Sequence, residues 1–169
     1  MRIPPGDNLP RAVCSACGSI HYENPRIIVG CVPEWQGRIL LCQRAIAPRR
    51  GYWTTPAGFL ENGESLQAGA LREALEEAEA RVQIGSLLAI TNVLHAKQVH
   101  VTFRAGLLQG TFGVGAESLQ VALYEEAEIP WQQIAFPSID FALRCYFEDR
   151  RLAREMLHFS DIHRPLDKP

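Results

Sequence analysis

The stretch Gly58-Phe-Leu-Glu-Asn-Gly-Glu64-Ser-Leu-Gln-Ala-Gly-Ala-Leu-Arg72-Glu73-Ala-Leu-Glu76-Glu77-Ala-Glu79-Ala80 organises the rest of the chain, and six of its 23 residues are glutamate. Glu73, Glu76 and Glu77 are spaced i, i+3, i+4, which on an α-helix points three carboxylates into one sector. Like charges so close repel each other unless a cation sits among them. Oxygen-only donors suit a hard divalent ion, Mg²⁺ or Mn²⁺. Ser65 is placed to cap such a helix, and Ala68, Leu71, Leu75 and Ala78 are predicted to form its core-facing stripe. Arg72, four residues before Glu76, is placed for an intrahelical ion pair.

Working outward, the upstream segment is strand-like. Ile27–Val32 and Arg38–Cys42 are β-branched or apolar runs joined by Pro33-Glu34-Trp35-Gln36-Gly37, the pattern of a hairpin. Between the hairpin and Gly58 lies a basic loop carrying Arg44, Arg49 and Arg50. Such arginines are either solvated or hold phosphate oxygens against the glutamates. Tyr52, Trp53 and Trp131 are either core aromatics or rings that stack on a base. Downstream, Val82–Leu94 and Gln98–Leu108 read as long strands, the second with His100, Thr102 and Arg104 on a wet face and Val99, Val101 and Phe103 on a buried one. GTFGVG at 110–115 reads as a turn-rich loop, Leu119–Tyr124 as an apolar run and 125–131 as an acidic turn. Ser138–Glu155 reads as a second helix with a stripe of Ile139, Leu143, Tyr146 and Phe147.

The flanks differ in composition. Residues 1–24 form a short arm holding the knuckle Cys14-Ser-Ala-Cys17-Gly18, half of a four-ligand zinc site, with His21 the nearby further donor. The alternatives are a plain turn, or two chains each contributing one pair. Residues 25–157 make the main domain, and 158–169, rich in proline, are expected to be a flexible tail with His158 and His163 solvated. Cys31 and Cys42 lie inside strands and read as small core residues.

With 169 residues, 47% of them hydrophobic and 21% charged, the chain fits one globular domain. A net charge of −2 argues against a broad nucleic-acid or membrane surface. No apolar run approaches the ~20 residues of a transmembrane helix, and the N-terminus lacks a signal segment, so a cytoplasmic location is expected. Five cysteines without export signals make a disulfide framework an unfavoured reading.

The central stretch resembles the signature of the Nudix hydrolases, G-x₅-E-x₇-R-E-U-x-E-E-x-G-U with U apolar. Gly58, Glu64, Arg72, Glu73, Ala74, Glu76, Glu77 and Ala80 fall into register, and the final glycine is replaced by Glu79. His21–Pro25, Gly58-Phe59 and Glu128–Trp131 further resemble a Nudix subgroup with an N-terminal zinc ribbon, of which half is present here. The resemblance implies an α/β/α sandwich with a mixed sheet between helices. It implies hydrolysis of a nucleoside diphosphate linked to another moiety, with Mg²⁺ or Mn²⁺ held by Glu73, Glu76, Glu77 and the Gly58 carbonyl. Arg72 and Glu64 would orient the loop against the helix, and Glu117 or Glu73, with Glu125 and Glu126 as lesser candidates, would be the general base. Arg44, Arg49, Arg50 and Trp53 are the candidate substrate contacts, and Cys14 and Cys17 the candidate zinc ligands. The subgroup points to ADP-ribose or FAD, although the proline that many ADP-ribose hydrolases carry after the signature is absent, as is the motif of NADH hydrolases. A homodimer is expected from related enzymes. The rival expectation is a non-catalytic nucleotide sensor on the same fold. A zinc-ribbon nucleic-acid adaptor would need four zinc ligands and a basic face.

Overall fold

The computed structural model describes residues 1–163. A two-stranded hairpin, β1 (Ala12–Val13) and β2 (Ile20–His21), precedes the main body. The body contains β3 (Arg26–Trp35), β4 (Arg38–Arg44), β5 (Trp53–Thr54), β6 (Ala57–Phe59), helix α1 (Leu66–Ala78), β7 (Val82–Val93), β8 (Gln98–Leu107), β9 (Ser118–Tyr124), helix α2 (Pro137–Arg151) and β10 (His158–Ile162). Eight strands form one mixed sheet in the order β10-β7-β8-β3-β4-β5, with β6 added to β3 and β9 to β4. The β10–β7 and β3–β8 pairs are parallel and the others antiparallel.

The alternation along β3 builds both layers. Val29 and Cys31 point to the core under α1 with Ala70, Ala74, Phe103 and Leu107. Val32 points the other way, to the core under α2 with Ile39, Leu88, Leu143 and Phe147. The result is the expected sandwich, because a sheet apolar on both faces needs a helix on each. The β3–β4 connection is tighter than the sequence suggests. β3 runs through Trp35, and only Gln36 and Gly37 turn, both with positive φ as two-residue hairpins require. Near its start β3 pairs with β6 through Ile28–Gly30, and near its end with β4 through Glu34 and Trp35. The two neighbours leave β3 at different heights, which seats Gly58 of β6 beside the middle of β3.

Three sequence expectations are corrected. Leu71 and Leu75 are 42% and 52% exposed and Ala68 is exposed; of the predicted α1 stripe only Ala78 is buried. The packed face is Gly69, Ala70, Glu73, Ala74, Glu77 and Ala78. Small residues win because they bring the helix close to the sheet: a Cβ on Gly69 would lie 2.7 Å from Val29 Cγ1. The face of β8 expected to be wet lies beneath α2, where Thr102 and Arg104 are buried. The tail is not flexible from residue 158. His158–Ile162 form β10, in parallel register with Ala89–Val93, and His158 Nε2 lies 2.9 Å from Asp149 Oδ2. His163 is exposed as expected, and the expectation of flexibility for 164–169 lies outside the described residues. The stripe of α2 is as predicted, although the helix ends at Arg151, where Leu152 and a left-handed Ala153 close it.

Candidate active site

The site begins with the α1 N-terminus. Ser65 Oγ accepts the Ala68 N–H at 3.1 Å, which starts the helix where the sequence places it. Arg72, nearly two turns into the helix, reaches back over the preceding loop. Its Nε and Nη2 donate to the two Glu64 carboxylate oxygens at 3.2 and 2.7 Å, and Nη2 also donates to the Phe59 carbonyl at 2.9 Å. Glu64 Oε1 in turn accepts the Glu61 N–H at 2.8 Å. This fork fixes loop to helix, and it holds the Glu64 carboxyl below the usual carboxylate range, through its Arg72 hydrogen bonds first.

The same guanidinium organises the carboxylate cluster. Arg72 Nη1 donates to Glu73 Oε1 at 2.6 Å and to Glu76 Oε2 at 3.0 Å. Glu73 and Glu77 are buried on the packed face of α1, while the Glu76 side chain is 57% exposed. Glu73 lies against the Gly58 backbone so closely that any Cβ at Gly58 would collide with its carboxylate. Glu77 Oε2 accepts the Ala57 N–H at 3.0 Å, on the same edge of β6.

Burying these charges has a cost that the surroundings offset only in part. Desolvation raises the Glu73 pKa, against the Arg72 hydrogen bond, and the charges of Glu76 and Glu117 raise it further. Desolvation pushes Glu77 up to about 7; the Ala57 N–H and the Arg44 charge pull it down, while Glu73 and Glu117 push it up. Two buried carboxylates with unbalanced negative charge, hard oxygen donors and a glycine backbone pressed against one of them fit a divalent cation. Among the described residues no three such side chains converge on one point, because Arg72 draws Glu73 and Glu76 toward its own guanidinium.

The rim is built by two loops. Glu117, exposed at the head of β9, anchors the basic loop through its carbonyl, which accepts the Ala45 N–H at 2.8 Å. The loop before it seals the α1 C-terminus: the N–H groups of Gly113 and Gly115 donate to the Ala78 and Glu77 carbonyls, and Ser118 Oγ to the Glu77 carbonyl at 2.7 Å. Glu79 adopts the left-handed conformation, φ 47°, that the signature's glycine would take. Arg44 reaches this site, and its guanidinium lies 5.0 Å from the centroid of Phe136 while Nε donates to the Pro48 carbonyl. Arg49 sits over the Tyr52 ring at 5.3 Å, and Arg50 is exposed in the turn.

The structure therefore gathers Gly58, Glu64, Arg72, Glu73, Glu76, Glu77, Glu117 and Arg44, and it removes Trp53. That ring is buried in the α2 core, edge-on to Tyr124 at 5.2 Å, and cannot stack on a ligand. Cys14 and Cys17 stand apart on the N-terminal hairpin. Sequence reading missed Ala57, Gly115, Ser118 and Phe136. The first three act through the backbone or on it, and Phe136 gave no signal beyond its place before Pro137.

Comparison with known proteins bears on the fold and the family. The NUDIX domain family model matches residues 24–140, and a Nudix N-terminal zinc-ribbon model matches residues 1–23. Human 8-oxo-dGDP phosphatase NUDT18 is 34% identical over 99 residues, covering 56% of this chain but only 30% of its own length. The ADP-ribose pyrophosphatase of Methanocaldococcus jannaschii is 24% identical over 113 residues, covering 64% of this chain and 67% of that protein. The crystal structure of a NUDIX hydrolase from Nitrosomonas europaea is 53% identical with a TM-score of 0.91, covering 95% of this chain and 92% of that one. On the match across residues 24–140, the chain belongs to the Nudix hydrolase family.

Proposed function

We propose that this protein hydrolyses the diphosphate bond of a nucleoside diphosphate joined to another moiety, ADP-ribose or FAD before others, releasing AMP. The observation that carries the reading is the pair Glu73 and Glu77, buried against the backbone of Gly58 and Ala57 with raised pKa values. Glu73, Glu76, Glu77 and the Gly58 carbonyl would hold Mg²⁺ or Mn²⁺. Such a cation, when bound, neutralises diphosphate charge and acidifies a coordinated water.

The protein's own residues do the rest. Arg44, whose charge already reaches Glu77, pairs with phosphate oxygens, and Arg49 and Arg50 extend the same basic loop. Glu117 takes the proton from water as it adds to one phosphorus and the bridging P–O bond breaks toward the other phosphate. Arg72 and Glu64 are positioning residues that keep the loop and the carboxylates in register.

A second reading, a mononucleotide substrate such as 8-oxo-dGDP, is favoured by the 34% identity to NUDT18. Incubating the protein with Mg²⁺ and ADP-ribose, FAD or 8-oxo-dGDP, with Glu77→Gln as control, tests both. AMP from ADP-ribose or FAD is expected, with turnover reduced at least about 100-fold in the control. Phosphate release from 8-oxo-dGDP alone would select the second reading. Binding without release from any of them would identify a sensor.

A further inference from the structure

The aromatic residues that the sequence offers for stacking on a base are engaged elsewhere. Trp53 is buried in the α2 core, Trp131 lies edge-on to Phe147 with the Arg144 guanidinium over its ring, and Arg49 covers Tyr52. Another ring stands beside the carboxylates. Phe59 follows Gly58 on β6 and is 50% exposed. Successive strand residues point to opposite faces, so Gly58 meets Glu73 on the α1 face while the Phe59 ring leaves on the α2 face. β6 also has one bonded edge and one open one. β3 pairs with the first. On the second, the Ala57 N–H and the Phe59 carbonyl are held by side chains, Glu77 and Arg72, in place of a strand. A ligand whose diphosphate lies at Glu73 and Glu77 therefore meets a free sheet edge, around which its nucleoside reaches the Phe59 ring.

The surface beyond that edge is a corner of the sheet that α2 leaves partly open. Phe59, Ile28 and His100 form one cross-strand row, with Arg26 and Gln98 paired in the neighbouring row. His100 stands two strands from Phe59, about 10 Å at the usual strand spacing. Arg26 frames the ring, its guanidinium 5.1 Å from the Phe59 centroid. At the far end, Ser138 Oγ on the first turn of α2 lies 2.9 Å from His100 Nδ1, and His100 Nε2 lies 3.0 Å from Gln98 Oε1. The amide oxygen of Gln98 only accepts, so Nε2 donates to it and Nδ1 accepts the Ser138 hydroxyl. Burial pushes the His100 pKa down to about 4, which leaves the ring neutral at physiological pH. The arrangement turns the Gln98 amide donors away from His100. Ser138, His100 and Gln98 present no charge, whereas phosphate oxygens call for the arginines of the basic loop. What suits this corner is an aromatic face with an uncharged, hydrogen-bond-accepting edge, the chemistry of a nucleobase.

We infer that the nucleoside of the substrate lies across Ile28, its base stacked on Phe59 and its polar edge accepting from Gln98, with His100 as the residue that positions the Gln98 amide. The inference rests on the proposed reading of Glu73 and Glu77 as the diphosphate site. Calorimetric titration of the full chain in Mg²⁺ with AMP, and separately with ribose 5-phosphate, which lacks the base, tests it. The parent should bind AMP at least about tenfold more tightly than ribose 5-phosphate, and Phe59→Ala should remove about tenfold of the AMP affinity. Gln98→Leu and His100→Leu should each remove about threefold, with no further loss when the two are combined, because the histidine acts through the amide. Ribose 5-phosphate should be bound alike by all variants. Phe59 and Gln98 reach solvent, so those two variants carry the test even where His100→Leu does not fold. Equal affinities in the parent, undetectable binding of both ligands included, would overturn the inference. So would unchanged AMP affinity in Phe59→Ala or Gln98→Leu, or an equal loss for both ligands. Additive losses at His100 and Gln98 would overturn the positioning role. A base preference that depends on Phe59 in a protein that cleaves no diphosphate would support this inference and sink the hydrolase reading.

Discussion

At the residue scale, Glu77 shows what burying a carboxylate costs the fold. Its pKa is raised to about 7 chiefly by desolvation, above the value near 4.3 of an unfolded glutamate, so the folded protein holds the proton more tightly than the unfolded one. Stability from this group is complete at low pH and is lost as pH rises through about 7. Glu77→Gln should therefore match the parent near about pH 4, below the unfolded pKa, and exceed it by about 1–3 kcal/mol near about pH 8, read by urea unfolding without divalent metal. Thr55 presents the opposite case, a cost with no evident use. Its hydroxyl is buried with no hydrogen-bond partner among the described residues, so Thr55→Val should stabilise by about 1 kcal/mol in thermal melts with turnover unchanged.

At the scale of elements, the loop at 110–117 matters as much as the helix it covers. Gly115 lies so close to the Glu76 carbonyl that an added Cβ would overlap that backbone oxygen. Gly115→Ala should lower stability by about 1–3 kcal/mol. It should also reduce kcat about tenfold by displacing Glu117 and Ser118, since small misplacements of reacting groups are costly. Steady-state kinetics beside a melting curve separates the two effects. The helix itself is placed by its small face. Gly69, Ala70, Ala74 and Ala78 let it approach β3 and β6, and the neighbouring positions Glu73 and Glu77 are carried inward with them. Larger residues on that face would hold the helix off and leave the carboxylates in water.

At the scale of the molecule, the layer opposite the site is fastened by one buried acid. Asp149, 1% exposed, accepts Arg104 Nη2, Arg154 Nε at 3.0 Å, the Met156 N–H at 3.0 Å and His158, so β8, α2 and β10 meet at a single side chain. Burial alone would raise its pKa, but the hydrogen bonds of His158, Met156 and Arg154 outweigh it and hold the carboxyl well below the usual range. That stability is present above the unfolded carboxylate pKa of about 3.9 and is lost as pH falls. Asp149→Ala should cost about 3–5 kcal/mol by leaving Arg104 buried and unpaired, with hydrogen exchange in β10 accelerating before the rest of the sheet opens.

What the sequence determined by itself was local. The strand runs of β3, β7 and β8, the Ser65 cap, the α2 stripe and the spacing of Glu64, Arg72, Glu73, Glu76 and Glu77 are set by short-range geometry, and one chain is enough to read them. Where Glu79 replaces the final glycine, the local sequence does not say whether the helix runs one residue further or stops in a left-handed turn; the backbone ends it with Glu79 left-handed. Tertiary structure alone decided which face of α1 is buried, because that depends on how closely the sheet lets a helix approach, and hydrophobic mass points to Leu71 and Leu75 instead. It also decided that Trp53 belongs to the core, that His158–Ile162 complete the sheet, and that Ala57, Ser118 and Gly115 frame the glutamates. Each of those outcomes is a contact between residues distant in the chain, and a pairing of that range has no periodicity in the sequence to announce it.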